Sequence, residues 1–556
     1  MARLRISLSL RTVLLFFLLL AMPATNTAGQ NGSTDAPIRI SPAATSDVIV
    51  NLLEQGRALE VTGRWGEALS HYEQALLEHP GNRTLVSQLD LAKIHFSLER
   101  RFHNPSFAKS LAMLSARSAD QLYAEVLLKI NTHYVAPPNW AKLVIRGTMA
   151  VDVALADVAF CRKNVSELSR QRIDQFRRQM YQVAGAQPIR TRHDARQAVA
   201  TTAAHARRQL GISEAAVMLE YIAGAMGGLD NYSDYLSADQ LKDVYSQIEG
   251  NFVGLGVELK ANNGDLLIVH VISGSPAQRA GIKADDRIVA VDSHATRELS
   301  TDAAASLLQG KEGSTVTLTM VTPGQSPRHL TVRRQNVDVP SVEDVKIIDP
   351  DFQIGYIKLP SFQKTTSRDL DLALWNLHGQ GMRSLILDLR GNPGGLLTAS
   401  VEVADKFIKQ GPIVSTRGRN AEEDFNYVAH EQGTWTIPLV VLIDGDSASA
   451  SEIFAGAISD HHRGTVVGTR SYGKGSVQGI FPLSITGAGV RLTTARFFSP
   501  HGHAISKVGI TPDIDPHLTA RVPVGENVSV SKVAASHQDI VLDAGLQVIR
   551  RPLASR

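Results

Sequence analysis

The chain has one cysteine, Cys161, in 556 residues. No intrachain disulfide can form, so stability must come from packing. An excess of one charge is also missing. Lys and Arg number 57 against 54 Asp and Glu, a formal +3, and the basic residues are scattered. This excludes the electrostatic footprint of a nucleic-acid binder. Hydrophobic residues at 43% and charged residues at 20% leave no room for a large disordered fraction. Long apolar runs are scarce as well. The longest, "TVLLFFLLLAM" at 12–22, is shorter than the roughly 20 residues of a membrane span.

That run has a meaning of its own. Arg3, Arg5 and Arg11 precede or open it, and small residues around Ala24 and Ala28 follow. The pattern predicts a secretory signal peptide over 1–28 and places the protein in a bacterial periplasm or cell envelope, with membrane anchoring as the alternative if the run is not cleaved. At this length the chain needs about three or four domains.

A polar linker, 29–46, leads to "NLLEQGRALEVTGRWGEALSHYEQALLEHPGN". Trp65, Ala68, Tyr72, Ala75 and Pro80 fall where a tetratricopeptide repeat places its packing residues. Residues 47–117 therefore read either as a repeat module that binds an adaptor or as an ordinary helical hairpin. Amphipathic helix is expected over 118–155 and 213–236, with a polar helical insertion near 155–212.

From residue 250 the texture changes to short β-type runs, "GVELKA", "DLLIVHVI", "RIVAVD" and "STVTLTMV", separated by Gly, Asn and Asp turns. With "SPAQRAGI" and "STDAAASLLQG" as helices, residues 250–336 resemble a PDZ domain, the peptide-binding module, although Asp285-Asp286 stands where that family more often has Gly-Asp. Successive amides of Leu255, Gly256 and Val257 could cradle a terminal carboxylate while the bound peptide adds to a sheet edge. A small barrel without a ligand is the bland alternative.

The remainder alternates strands and helices: an α/β core over 337–516, then a tail over 517–556 that either packs on the core or recruits a partner. Twice a buried strand runs into a Gly- or Ser-rich loop that opens a helix, where α/β folds place their sites. The second junction holds Ser447, Ser449 and Ser451. A serine there reads first as a helix cap, but three are more than a cap requires. An exposed Ser449 would have the positive end of a helix dipole beside it, which favours an oxyanion.

A serine nucleophile needs a base. His430, His461, His462, His501 and His503 carry no distinctive pattern and no metal-site spacing. Lys474, in "GTRSYGKGSVQ", superficially resembles a phosphate loop, but Gly475 follows where Ser or Thr is required, so no nucleotide is expected. A desolvated lysine can instead be neutral and take the serine proton, with Gln478 orienting it. Oxyanion donors would be the Ala450 amide and Gly394 or Gly395; glycine lets backbone approach a substrate closely.

In this order, "LDLRGNPGGLL", "GDSASASEIFAGAI", "GTRSYGKGSVQ", "LTTARFFSPHGHAI" and "GITPDI" resemble the carboxyl-terminal processing peptidases, or tail-specific proteases; upstream, "YAEVLLKINTHYV" and "GLDNYSDYL" agree. The resemblance covers about 118–154 and 213–515. It implies a multidomain α+β protein with an N-terminal helical region, a PDZ-like small β-barrel and an α/β (ClpP/crotonase-like) serine protease core. It also implies a Ser449–Lys474 dyad supported by Gln478, with oxyanion donors at Ala450 and the Gly394-Gly395 pair, Gly395 preferred, and with no metal or other cofactor, acting on proteins with apolar C-terminal tails. The other class of reading is a non-catalytic or partner-gated envelope adaptor.

Overall fold

A computed structural model describes residues 4–5, 42–165, 170–185, 188–262, 265–298, 307–308, 310–519 and 539–554. Apart from Leu4–Arg5, the expected signal peptide lies outside them, as does most of the linker. The described chain divides into two compact units, one of residues 42–241 with 478–493, the other built on 242–477 and the residues from 494 on.

The first unit is helical. Helix Trp65–Glu78 buries Ala68, Leu69, Tyr72 and Ala75, the recurrence of an amphipathic helix. Tyr72 fills the space left by Gly56, where a Cβ would lie 2.3 Å from its ring, and donates to Glu60 at 2.8 Å. Trp65 stacks on His95 with centroids 3.7 Å apart.

The helix expected over 118–155 is two helices, Ala116–His133 and Trp140–Ala156. Pro137 and Pro138 stop the first because each lacks an amide and disfavours helix before it. Asn139 then starts the second by accepting from the Lys142 amide at 2.9 Å. The pattern over 213–236 is likewise helix only as Glu214–Gly227; Asp234–Leu236 is a strand paired with Gly489–Arg491. The polar stretch between forms helices Val158–Asn164, Arg170–Gly185 and Arg192–Leu210. Their apolar faces, with Phe160, Phe176, Met180, Val199 and Ala203, enter the same core as the flanking helices.

In the second unit the PDZ-like part is an antiparallel sheet ordered Val257–Asn262, Asp265–Val271, Arg287–Val291, Thr315–Val321, Arg328–Arg333, with Leu4–Arg5 paired outside the first strand. At the Asp285-Asp286 turn, Asp285 takes the positive φ of 71° that glycine would take. Buried Asp286 accepts from the Lys283 amide at 3.0 Å and from Arg328 at 2.9 Å. Most of the expected second PDZ helix lies outside the described residues.

The α/β core is a five-stranded sheet: β1 (Glu343–Asp349), β2 (Ile354–Lys358), β3 (Ser384–Asp388), β4 (Leu439–Ile443) and β5 (Thr465–Gly468), in that order. Strands β2 to β5 are parallel and β1 is an antiparallel edge. "SLILD" and "LVVLI" are buried at every residue, because helices cover both faces. Helices α1 (Thr366–Gly379), α2 (Leu397–Asp405) and α3 (Ala450–Asp460) pack on one face. The C-terminal helix α4 (Ile540–Ala554) packs on the other.

Candidate active site

Two loops leave the carboxyl ends of neighbouring parallel strands: Leu389–Leu396 between β3 and α2, and Asp444–Ser449 between β4 and α3. Serine and asparagine side chains knit them together. Buried Ser447 donates to the Leu389 carbonyl at 2.9 Å, and buried Ser451 donates to the Asn392 carbonyl at 3.0 Å. The Ala448 amide donates to that carbonyl as well, also at 3.0 Å. Of the three serines, Ser447 and Ser451 are therefore structural, and Ser449 is the half-buried one.

Ser449 has φ 58° and ψ −113° at the N-cap of α3. A side chain held there costs of order 1–3 kcal/mol and persists only where its surroundings over-determine it. The constraint is visible: the Ser449 amide donates to Glu452 at 2.7 Å.

Gly394 lies against this turn. A Cβ on it would be 2.7 Å from the Ser449 Cβ and 2.8 Å from the Ala450 nitrogen. The Gly394 amide is consumed, donating to Asn392 Oδ1 at 2.8 Å. The amides of Gly395 and Ala450 donate to no acceptor among the described residues. Gly395 has φ 146°, and a Cβ there would meet the Phe362 carbonyl oxygen at 1.9 Å, so only glycine fits without movement.

Lys474 comes after β5. Gly468 ends the strand against the Ile443 carbonyl, which a Cβ would meet at 1.9 Å. The loop then turns back over α3. The Tyr472 amide donates to the Ser447 carbonyl at 3.0 Å, and Glu452 receives the Ser471 hydroxyl and the Gly473 amide at 2.6 Å each and the Lys474 amide at 2.8 Å. Gly475 passes the Ser506 nitrogen where a Cβ would be 2.3 Å away. A strand, Ser476–Pro482, follows, where a phosphate loop would open a helix. The Lys474 side chain is half-buried.

Ser449, Ala450, Gly394, Gly395 and the Lys474 backbone are thus gathered at one end of the sheet. Gln478 lies in the stretch that belongs to the helical unit. Three of the five candidate histidines are engaged elsewhere: His430 with Asp405, His461 with the Pro412 carbonyl and His501 with Asp460.

The residue missed in the sequence is Glu452, which ties the Ser449 turn to the Lys474 loop through four hydrogen bonds. The signal was there: Ser449 and Glu452 have the S-x-x-E spacing of a capping box. Burial pushes the Glu452 carboxyl above the ordinary glutamate range, and its four donors pull against that shift. A raised folded pKa means that its contribution to stability is full below the unfolded pKa and is lost as pH rises through the folded one. Glu452→Gln puts an amide N–H₂ against donors. It is expected to lower kcat about 10- to 100-fold, the worth of one charge-assisted hydrogen bond, and to remove that pH slope. Steady-state kinetics and denaturant titrations at several pH values check both outcomes.

A strained serine before a helix, amides beside it that donate to no acceptor among the described residues, and a lysine loop locked onto the same helix form an arrangement whose chemistry suits a hydrolase. Residues 353–515 match peptidase family S41, and residues 267–322 match the PDZ domain. The chain is 40% identical over 301 residues to the carboxy-terminal-processing protease of Bartonella bacilliformis, covering 53% of this chain and 68% of that protein. It is 36% identical over 312 residues to the carboxyl-terminal-processing protease of Picosynechococcus sp., covering 56% and 74%. Among solved structures, the photosystem II D1 C-terminal processing protease aligns at 26% identity over 72% of this chain and 93% of that one, with a TM-score of 0.40. The protein belongs to the carboxyl-terminal processing proteases of family S41, which are serine proteases.

Proposed function

We propose that this chain is an exported endopeptidase that captures apolar C-terminal tails in its PDZ domain and hydrolyses peptide bonds with a Ser449–Lys474 dyad. The observation that carries the reading is the pair of unpaired amides, Gly395 and Ala450, beside Ser449 in its strained turn. The neutral Lys474 amine takes the Ser449 proton as Oγ attacks the scissile carbonyl. The two amides hold the tetrahedral oxyanion, and Lys474 then gives the proton to the leaving amine. Water, activated by the same amine, releases the acyl group. Gln478 orients Lys474.

Tail capture is supported by the loop before strand Val257–Asn262. Gly256 has φ 82° against Ser275, and the Leu255 and Gly256 amides donate to no acceptor among the described residues. They suit a terminal carboxylate. Once residues 1–28 are cleaved, Leu4–Arg5 is gone and the adjoining sheet edge is open to a peptide strand. Export to the periplasm or envelope rests on the N-terminal sequence alone.

The test uses the chain from residue 30 and a loosely folded protein ending in an apolar tail or in the same tail capped by Asp-Asp. Cleavage of the uncapped substrate only, lost in Ser449→Ala, is expected by mass spectrometry. Tail-dependent binding without cleavage by the unmodified enzyme would instead favour a partner-gated or adaptor role, with the N-terminal helices as the place where a partner acts.

A further inference from the structure

The C-terminal helix reaches the catalytic loop. Arg390 stands two residues beyond β3, in the loop that carries Asn392, Gly394 and Gly395. Its Nε donates to both oxygens of Asp388 at 3.0 Å and its Nη2 donates to Asp388 Oδ2 at 2.6 Å. Asp388 is buried and also accepts from the Tyr356 hydroxyl at 2.7 Å. The remaining arm of the guanidinium, Nη1, donates to Asp539 Oδ1 at 2.7 Å, a residue 149 positions further along the chain.

Asp539 is also the start of α4. The same Oδ1 accepts from the Leu542 amide at 3.0 Å, so one carboxylate caps the helix and grips the loop. Burial works against its charge, but Arg390 and the amides at the helix start hold Asp539 below the usual carboxylate range. At the other end of α4, Arg550 donates to Asp349 Oδ2 through Nε at 2.8 Å and lies over the Phe352 ring. Between the clamps Val541 and Ile549 pack on Ile354, Tyr356, Ile386, Val440 and Leu442. Gly545 permits the closest approach, since a Cβ there would be 3.0 Å from Leu442.

Apolar contact and the Arg550 clamp already fix the helix on the sheet. Besides capping α4, Asp539 completes the set of partners around Arg390 and so ties down the base of the loop whose far end presents the Gly395 amide. We infer that Asp539 is a positioning residue for catalysis, acting through Arg390 on the oxyanion-binding loop, and that α4 is a strap rather than only a cover. The inference rests on the proposed oxyanion role of Gly395.

The test compares variants of the chain from residue 30 on the apolar-tailed substrate. Asp539→Ala is expected to lower kcat about 3- to 10-fold at unchanged KM, the scale of a half-exposed charge-assisted bond. Asp539→Asn, which keeps a neutral acceptor for Arg390 and for the helix amide, recovers part of the loss. Arg550→Gln, which opens the far clamp, lowers the melting temperature but leaves kcat unchanged. The inference is overturned if Asp539→Ala keeps full kcat. It is equally overturned if Asp539→Ala and Arg550→Gln lose kcat alike, in step with stability, because α4 would then be only a cover. Gly395→Ala separates the levels: if it lowers kcat while Asp539→Ala does not, only the strap fails. If Gly395→Ala is fully active, the oxyanion reading beneath it fails.

Discussion

Lys474→Arg is expected to lower kcat by about 10⁴-fold or more, as loss of a dyad member does in serine hydrolases, although it preserves the charge. A general base must be able to give up its proton near neutral pH. An ammonium on a desolvated stem can do so and a guanidinium cannot. The backbone on which the side chain stands should survive the change, because the Lys474 amide and its neighbours are held by Glu452 through main-chain bonds. Binding of a tailed substrate should accordingly stay close to normal, which fluorescence anisotropy with a labelled apolar tail would show. Turnover by the arginine variant near the rate of the unmodified enzyme would rule out lysine as the base and send the search back to the histidines.

Gly395→Ala is expected to cost about 10²- to 10³-fold in kcat, the scale for losing one oxyanion donor. The reason is local and steric. The new Cβ would sit 1.9 Å from the Phe362 carbonyl oxygen and 2.7 Å from its carbon, and both belong to backbone that cannot swing aside as a side chain can. The Phe362 carbonyl also accepts from the Leu396 amide at 2.8 Å, so the loop must give way instead, and the Gly395 N–H turns with it. Substrate contacts remote from the scissile bond are unchanged, so KM should move little. Steady-state kinetics with a melting curve as control decides the matter. Full activity in a folded variant would remove Gly395 from the oxyanion site.

The strands of the core were legible because burial on both faces leaves uninterrupted apolar runs, as in "SLILD" and "LVVLI". Periodicity failed where proline chemistry intervened, at Pro137 and Pro138, and where a short strand, Asp234–Leu236, borrowed its pairing from residues some 250 positions away. At the site, residue type and local spacing pointed to Ser449, Lys474 and the paired glycines. They could not tell Gly394 from Gly395, since the difference lies in which amide Asn392 has already taken. Glu452 was masked by its ordinary guise as a capping residue. Its bonds to Ser471, Gly473 and Lys474 depend on a loop returning from 19 to 22 residues further on, which no local pattern records. The Asp388–Arg390–Asp539 group is less visible still, because its last member arrives from the far end of the chain.

The passage of the chain between its two compact units bears on how the protein can be taken apart. It leaves the helical unit after residue 241, returns to it at 478 and leaves again after 493. The returning stretch is no decoration: Leu483, Ala488, Val490 and Leu492 are buried in the helical core. A version cut at residue 241 would carry those four side chains with nothing to bury them, in the stretch that follows strand Ser476–Pro482 and runs into strand Gly489–Phe498. Deleting the N-terminal half is therefore not the removal of a module. Any loss of activity in such a fragment would report these orphaned apolar residues, which follow the Lys474 loop by one strand, and single substitutions on the helices are the sound way to ask what that half contributes.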